Sequence, residues 1–188
     1  MIAIGVSGVA GSFSEEAAVA YAKRMNMHPK LIYLVDMEGV LSKVESKEID
    51  LGIFPVVNLR GGLVKPALLA MGKHLFTPID EFWLDVQQCL LVLPGTLRNS
   101  INKIASHQQA LLQCQNYLTK EFSAVELIEW IDTAKAAEDL KQGILSSDTA
   151  VIAPKTSAEL YQLDVLASNI QDNQPNLTAF IIVKAFNE

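Results

Sequence analysis

The sequence predicts an α/β fold. Short apolar runs of strand-forming residues alternate with helical patterns along almost the whole chain. Two segments also resemble each other loosely, which is typical of a chain that folds as two similar lobes. We expect largely parallel pairing among the predicted strands, which are residues 2–6, 30–34, 51–56, 83–93, 103–105, 125–130, 150–153 and 179–184.

The first strand leads into a glycine turn. The run MIAIGV is short, apolar and β-prone, and Gly8 and Gly11 permit backbone angles that side chains disfavour. Ser12 followed by Glu15 fits a capping box, with Ser14 as a competing N-cap, so we expect a helix to begin here. The N–H groups of such a turn suit an anionic ligand. An ordinary β–α connection explains the same glycines, and both interpretations stay open.

The two similar segments are residues 36–55 and 132–154. Each runs from an aspartate N-cap through a helix to an apolar strand that ends in proline. Two unrelated αβ units would have the same pattern, so the repeat is one of two interpretations. If the lobes are real, ligands bind in a crevice beyond the carboxyl ends of the strands.

Composition narrows the function classes. The chain has 188 residues, half of them hydrophobic, which suits one domain or two small lobes. We expect a cytoplasmic protein. The N-terminus has no basic region and its apolar run breaks at glycine, so we expect no signal peptide, and no apolar segment is long enough to span a membrane. Cys89 and Cys114 lack metal-ligand spacing, so we expect no structural metal. A formal charge of −6 argues against nucleic-acid binding. A small anion would have to be recognised locally, by helix ends, hydroxyls, amides and one or two cations.

Four polar residues lie in loops where predicted strands begin or end. Asn58 follows the third strand, and Thr178 stands at the mouth of the last one. Ser106 and Gln109 form a second predicted capping box, with Gln113 two turns further on the same helix face. Each residue also has an ordinary explanation as a cap, a turn former, a solvated residue or a β-branched strand residue.

The motifs in these loops resemble those of the prephenate dehydratase family. GVAGSFSEEAA is similar to the family's G-P-x-G-[TS]-[FY]-[ST]-x-x-A-A opening, and IFPVVNLRGGLV to its V-P-x-E-N-S-x-x-G-x-V segment. ASHQQALLQC resembles S-H-P-Q-A-L-x-Q-C, and IDTAKAA resembles S-T-A-x-A-A. The ending NIQDNQPNLTAF is similar to I-x-D-x-x-x-N-x-T-R-F. These blocks occur in order over nearly the whole chain.

The resemblance implies a periplasmic-binding-protein-like (type II) fold, with the active site in a cleft between two α/β lobes. We place lobe 1 at residues 1–77 and 171–188 and lobe 2 at residues 78–170. The implied reaction removes carbon dioxide and the ring hydroxyl from prephenate, giving phenylpyruvate for L-phenylalanine biosynthesis, without a metal or an organic cofactor. The implied partner is a small-molecule dicarboxylate, and family precedent suggests a homodimer or a larger oligomer.

The resemblance also assigns site residues. It implies catalytic roles for Thr178, Asn58, Ser106 and Gln113, and substrate-binding roles for Gly11, Ser12, Thr133 and Phe180. Many family members continue into a domain that binds phenylalanine. Because this sequence ends soon after Thr178, we expect no feedback inhibition through such a domain.

Several positions depart from the family's pattern. Ala179 replaces the arginine expected to pair with a substrate carboxylate, Val57 and Leu59 replace a glutamate and a serine, and Gln88 replaces a histidine. Losing one charge-assisted contact costs about 1.5 to 3 kcal/mol. Arg60 is the candidate replacement cation, unless it simply points into water. Two alternatives therefore stay open: a related prephenate decarboxylase that does not aromatise its product, and a non-catalytic protein that binds a small anion.

Overall fold

A computed structural model describes residues 1–186 of the protein, and its strands form two sheets. In chain order the elements are β1 (Ala3–Ser7), α1 (Phe13–Arg24), β2 (Lys30–Leu34), α2 (Met37–Glu45), β3 (Leu51–Asn58), β4 (Gly62–Leu63), α3 (Lys65–Met71), β5 (Phe76–Asp85), β6 (Cys89–Val92), a 3-10 turn (Arg98–Ser100), β7 (Lys103–Ser106), α4 (Gln108–Gln113), α5 (Gln115–Glu121), β8 (Glu126–Glu129), α6 (Thr133–Lys141), β9 (Thr149–Ala153), α7 (Lys155–Tyr161), β10 (Asp164–Ser168) and β11 (Leu177–Ala185).

The chain divides into two compact units. The first contains Met1–Val9, Phe13–Asp85 and the chain from Leu177, and the second contains Ala10–Ser12 and Val86–Asn176. They differ from the predicted lobes at residues 10–12, 78–85 and 171–176. Residues 78–85 belong to the first unit because β5 pairs with β11 along its length.

The first unit is built on a sheet with the strand order β2-β1-β3-β11-β5, and β4 pairs with β3. β1 is parallel to β2 and β3, whereas β11 is antiparallel to both of its neighbours. α1 packs on one face through a core that includes Ile4, Ala18 and Phe180. α2 and α3 pack on the other face through a core that includes Val40 and Ala67. Burial of both faces explains why the central strands read as continuous apolar runs.

The second unit is built on a sheet with the order β10-β6-β9-β7-β8. β7 is parallel to β8 and β9, while β6 runs antiparallel to β9 and β10. α6 and α7 contribute to one core cluster, with Leu140 and Ala158, and α4 and α5 contribute to another, with Ala110 and Leu118. No helix within residues 1–186 is both long and apolar enough to span a membrane.

Two expectations about the strands are wrong. Of the nine strand pairings within residues 1–186, four are parallel and five antiparallel, so pairing is mixed rather than largely parallel. The predicted strand 83–93 is two strands, β5 and β6, because the chain leaves the first sheet after Asp85 and enters the second at Cys89. β10 was not predicted, since its sequence DVLAS lacks a sustained apolar run.

The two similar segments adopt the same local structure. α2 and α6 are both nine residues long, and both begin after an aspartate whose side chain accepts a backbone N–H three residues later: Gly39 N to Asp36 Oδ1, and Lys135 N to Asp132 Oδ1. Each helix is followed by a residue with a left-handed backbone, Lys47 at φ 60° and Gly143 at φ 75°. The predicted order of helix and strand and both caps are therefore confirmed. The predicted strand end at proline holds for β9, which stops directly before Pro154, but is wrong for β3, which continues past Pro55 to Asn58.

Candidate functional site

In the first unit, two predicted site residues meet at one edge of the sheet. Asn58 ends β3, Thr178 lies at the start of β11, and the antiparallel register places them opposite each other. Asn58 Nδ2 donates a hydrogen bond of 2.8 Å to Thr178 Oγ1. Asn58 is 2% exposed and Thr178 is 7% exposed. The structure thus brings together two side chains that are 120 positions apart in the sequence.

Backbone contacts fix the orientation of the Asn58 amide. Its Oδ1 accepts N–H bonds from Arg60 (2.9 Å) and Gly61 (2.7 Å), an Asx-type turn. Because a backbone N–H can only donate, the amide atom that faces these groups is the oxygen, and the nitrogen faces Thr178. Thr178 Oγ1 is therefore an acceptor in this pair. Within residues 1–186 no acceptor receives the Thr178 hydroxyl proton, which leaves the hydroxyl able to donate to a ligand.

Two other predicted residues of this unit have different surroundings. The side chain of Arg60 is exposed and forms no ion pair with the described residues, so it keeps a free positive charge two positions from Asn58. Phe180 is fully buried in the core cluster against α1, which gives it a packing role.

Two departures from the family's pattern lie directly opposite each other. The register pairs Ala179 on β11 with Val57 on β3, and Ala179 is 4% exposed. The family's arginine and glutamate at these positions would be a cross-strand pair of opposite charge. This chain has an apolar residue at both positions. Losing only one charge would leave the other buried without a partner, and the double replacement avoids this cost.

In the second unit, predicted residues gather at the edge formed by the carboxyl ends of β7 and β9. Ser106 ends β7, which is parallel to β9. Gln88 directly precedes β6, whose first residue, Cys89, pairs with Ala153 at the end of β9. The helices α4, α6 and α7 begin at this same edge, with Thr133 as the first residue of α6. In α/β sheets this is the edge at which ligands bind.

The predicted role of Ser106 as a helix cap is wrong. Ser106 still pairs with Glu129 in the sheet, and His107 is the N-cap of α4, its ring Nδ1 accepting from Gln109 N. The Ser106 hydroxyl is fully buried and donates to the Ile152 carbonyl at 2.6 Å. A neighbouring strand therefore takes the hydroxyl proton that Ser106 could otherwise donate to a ligand. Gln113 lies on α4, a helix that does not include Ser106.

Gln113 belongs to a network of three side-chain amides. Its Oε1 accepts from Gln88 Nε2 and from Asn176 Nδ2, both at 3.1 Å. Asn176 Nδ2 also donates to the Val86 carbonyl at 3.1 Å, and Gln88 N donates to Gln171 Oε1 at 3.0 Å. Sequence reasoning singled out Gln88 as a departure but gave it no role, and it missed Asn176. The available signal for Asn176 was its position two residues before Thr178.

The glycine turn that follows β1 is held through its carbonyl groups. Gly11 O accepts from the hydroxyls of Ser157 (2.9 Å) and Thr156 (3.2 Å), and Ala10 O accepts from Tyr161 (2.9 Å). Gly11 has φ +81°, and a Cβ there would lie 3.0 Å from Ser157 Oγ and 3.2 Å from Ser157 Cα. The backbone angle therefore favours glycine, and any side chain at this position would also require Ser157 to shift. The helix predicted after Ser12 is confirmed and begins at Phe13, and anion binding by this turn stays a prediction.

A sequence model of the prephenate dehydratase family matches residues 4–187. The chain belongs to this family. Arogenate dehydratase 1 from Petunia hybrida is 35% identical over 181 residues, which are 96% of this chain and 41% of that protein. Arogenate dehydratase/prephenate dehydratase 6 from Arabidopsis thaliana is 34% identical over 96% of this chain and 42% of that protein. A bifunctional chorismate mutase/prephenate dehydratase from Aquifex aeolicus is 32% identical over 78% of this chain and 40% of that protein. The chain thus spans less than half the length of these relatives.

Solved structures agree with the family's fold. A prephenate dehydratase from Arthrobacter aurescens in complex with L-Phe has a TM-score of 0.86 at 22% identity, over 100% of this chain and 61% of that chain. An ABC transporter periplasmic substrate-binding protein from Coxiella burnetii has a TM-score of 0.54 at 16% identity, over 98% of this chain and 84% of that chain. The predicted periplasmic-binding-protein-like α/β fold is therefore confirmed.

Proposed function

We propose that this chain catalyses the decarboxylating dehydration of prephenate to phenylpyruvate, or of arogenate to phenylalanine. Prephenate and phenylalanine biosynthesis are what the sequence motifs predict, and the names of the related prephenate and arogenate dehydratases support both substrates. The two compounds share the ring carboxylate and ring hydroxyl that are lost. They differ in the side chain, where arogenate carries an ammonium group and prephenate a keto oxygen. One catalytic group near the ring can therefore serve either compound.

The observation that carries this proposal is the 2.8 Å hydrogen bond from Asn58 to Thr178. Because Thr178 Oγ1 accepts this bond, its proton points away from Asn58 and is available to the substrate. The Asx-type turn holds the amide in place beforehand, so little reorganisation is needed when substrate binds. A preorganised donor of this kind suits an oxygen that gains negative charge as it leaves.

The reaction needs such a donor at one oxygen. The bond from the ring to its carboxylate breaks, carbon dioxide departs, and the electron pair moves into the ring. Aromatisation then expels the hydroxyl with the electrons of its C–O bond, and one proton must join that oxygen to form water. Thr178 donates its hydrogen bond to the departing oxygen, and solvent supplies the proton in the net balance.

The test is a matched pair of variants assayed with both substrates. Phenylpyruvate is measured by its absorbance in alkali and phenylalanine by chromatography, at a mildly alkaline pH that suppresses spontaneous acid conversion. We expect Thr178→Val, which keeps the side-chain shape but removes the hydroxyl, to lower kcat by about 100-fold to 1,000-fold. Thr178→Ser keeps the donor and should retain activity within about tenfold of the wild type.

Four outcomes would contradict the proposal. A folded wild-type protein with no rate above background on either substrate would remove it, as would a fully active Thr178→Val. Consumption of prephenate without phenylpyruvate would instead support a decarboxylase that does not aromatise its product. Saturable binding of prephenate without turnover would support a small-anion binding protein.

A further inference from the structure

Gln88 carries a buried oxygen without a partner in the described part of the chain, at the edge formed by the carboxyl ends of β7 and β9 in the second sheet. Its residue is 3% exposed, and its Oε1 has no hydrogen-bond partner among residues 1–186. A buried acceptor without a partner destabilises the folded state, and native proteins hold few of them. A bound ligand that donates a hydrogen bond to Gln88 Oε1 would explain why this oxygen has no partner among the described protein atoms.

The identity of this atom as oxygen follows from the backbone. The Val86 carbonyl can only accept, so the Asn176 atom beside it is the amide nitrogen. That nitrogen also faces Gln113, which makes the facing Gln113 atom Oε1. Gln88 in turn points its Nε2 at the same Oε1, and its own Oε1 is left over. Flipping any of the three amides would place two donors or two acceptors against each other.

Gln113 is the complementary half of this arrangement. Its Oε1 is occupied by two donors, whereas no acceptor among residues 1–186 receives its Nε2. Unlike Gln88, Gln113 is partly exposed, so this donor is accessible. The 3.1 Å bond between the two side chains places an unused acceptor and an unused donor on neighbouring amides.

A donor beside an acceptor matches the head group of an α-amino acid, where an ammonium group and a carboxylate share one carbon. We propose that Gln88 Oε1 accepts from the substrate ammonium and Gln113 Nε2 donates to the adjacent carboxylate, so that this chain prefers arogenate to prephenate. A keto oxygen is itself an acceptor and cannot pair with Gln88 Oε1. This inference rests on the proposed function.

The two glutamines give different expected results, which makes each the control of the other. Gln88→Met keeps the length of the side chain and removes the acceptor. It also removes the Nε2 donor to Gln113, which affects both substrates alike, so we expect kcat/KM for arogenate to fall about tenfold to 100-fold more than kcat/KM for prephenate. Gln113→Met removes the donor to a carboxylate that both compounds carry, so it should lower both values by a similar factor.

The wild-type protein should show a kcat/KM for arogenate at least about tenfold above that for prephenate, since a hydrogen bond to a charged group is at stake. A preference for prephenate, or equal losses on both substrates in Gln88→Met, would overturn the inference. If the wild type turns over neither compound, the proposed dehydratase function fails first. Calorimetric titration with arogenate and prephenate then decides the remaining point: tighter arogenate binding that Gln88→Met abolishes supports the inference, and equal or absent binding overturns it.

Discussion

The two units contain similar αβ segments, but the polar side chains at the ends of their strands make different hydrogen bonds. At the edge of the first sheet, Asn58 is held by backbone N–H groups and orients the hydroxyl of Thr178 as a donor. At the edge of the second sheet, the Ser106 hydroxyl donates a hydrogen bond to a backbone carbonyl. Within residues 1–186, the amide network there leaves Gln88 Oε1 as an unused acceptor and Gln113 Nε2 as an unused donor. The comparison teaches that similar scaffolds are specialised by the partners of a few strand-end side chains.

After Thr178→Val, the largest expected effect comes from replacing the amide donor of Asn58 with an acceptor. Asn58→Asp keeps an oxygen for the N–H groups of Arg60 and Gly61 but replaces the donor to Thr178 with a second acceptor. The Thr178 proton should then turn toward the aspartate, and kcat should fall by about tenfold to 100-fold. The measurement is steady-state activity beside a thermal melt. Full activity in Asn58→Asp would show that the orientation of Thr178 is unimportant.

The next effect concerns the apolar pair beside this site. Ala179→Arg alone places a charge at a position that is 4% exposed, and we expect it to cost about 2 to 4 kcal/mol of unfolding free energy. Adding Val57→Glu across the strands should recover about 1 to 3 kcal/mol. Urea denaturation of the two single variants and the double variant measures this coupling. Strictly additive losses would mean that the two positions do not interact.

A smaller effect compares the helix ends of the two similar segments. Lys47 and Gly143 both have left-handed backbones after α2 and α6, but only glycine adopts this conformation without a steric cost. Lys47→Gly should stabilise the protein by about 0.5 to 1 kcal/mol, and Gly143→Ala should destabilise it by about 1 kcal/mol. Space does not limit the second change, because nothing lies within 4 Å of a Cβ at Gly143. Denaturant midpoints that move in the same direction would contradict the comparison.

The smallest effect is a pH dependence in the first unit. His74 is 13% exposed, and its ring nitrogens contact Glu45 Oε2 at 2.6 Å and Glu38 Oε1 at 3.0 Å. The hydrogen bond with Glu45, followed by that with Glu38, raises the pKa of His74 although burial opposes it. The hydrogen bonds from Lys73 and His74 lower the pKa of Glu38, and those from His74 and the backbone of Leu75 lower that of Glu45.

These directions define a pH window. A raised histidine pKa stabilises the fold fully below the unfolded value of about 6.5, and this contribution is lost as the pH rises through the folded value. Lowered carboxyl pKa values stabilise the fold above the unfolded value of about 4.3, and that contribution is lost as the pH falls through the folded values. Denaturation midpoints of the wild type should therefore decline above neutral pH more steeply than those of His74→Gln. If the denaturation midpoints of the two proteins depend on pH in the same way, His74 is not the cause of this pH dependence.

Local features of the fold were predictable from the sequence, because short-range chemistry decides them. The caps at Asp36 and Asp132 and the strand Lys30–Leu34 were correctly predicted. The division between β5 and β6 was not, since an apolar run does not record which sheet it enters. Family motifs nominated Asn58 and Thr178, but the register that joins them is a long-range property.

The amide network could not be predicted from the sequence. Its three members come from positions 88, 113 and 176, and its unused oxygen follows from the partners of all three. Ser106 misled sequence reasoning for a related reason. A serine before a helix is usually a cap, and only the packing of β7 against β9 directs its hydroxyl to Ile152 instead.

The tripeptide Ala10–Ser12 has a practical consequence for anyone who wishes to divide this protein. Because it belongs to the second unit, a continuous fragment of residues 86–176 would lack the carbonyl groups that Ser157 and Tyr161 use. The buried hydroxyl of Ser157 would then lose its acceptor, at a cost of about 1 to 3 kcal/mol. An isolated second half should accordingly be less stable than its size suggests, and a graft or a synthetic peptide carrying GVAGS should restore part of that loss.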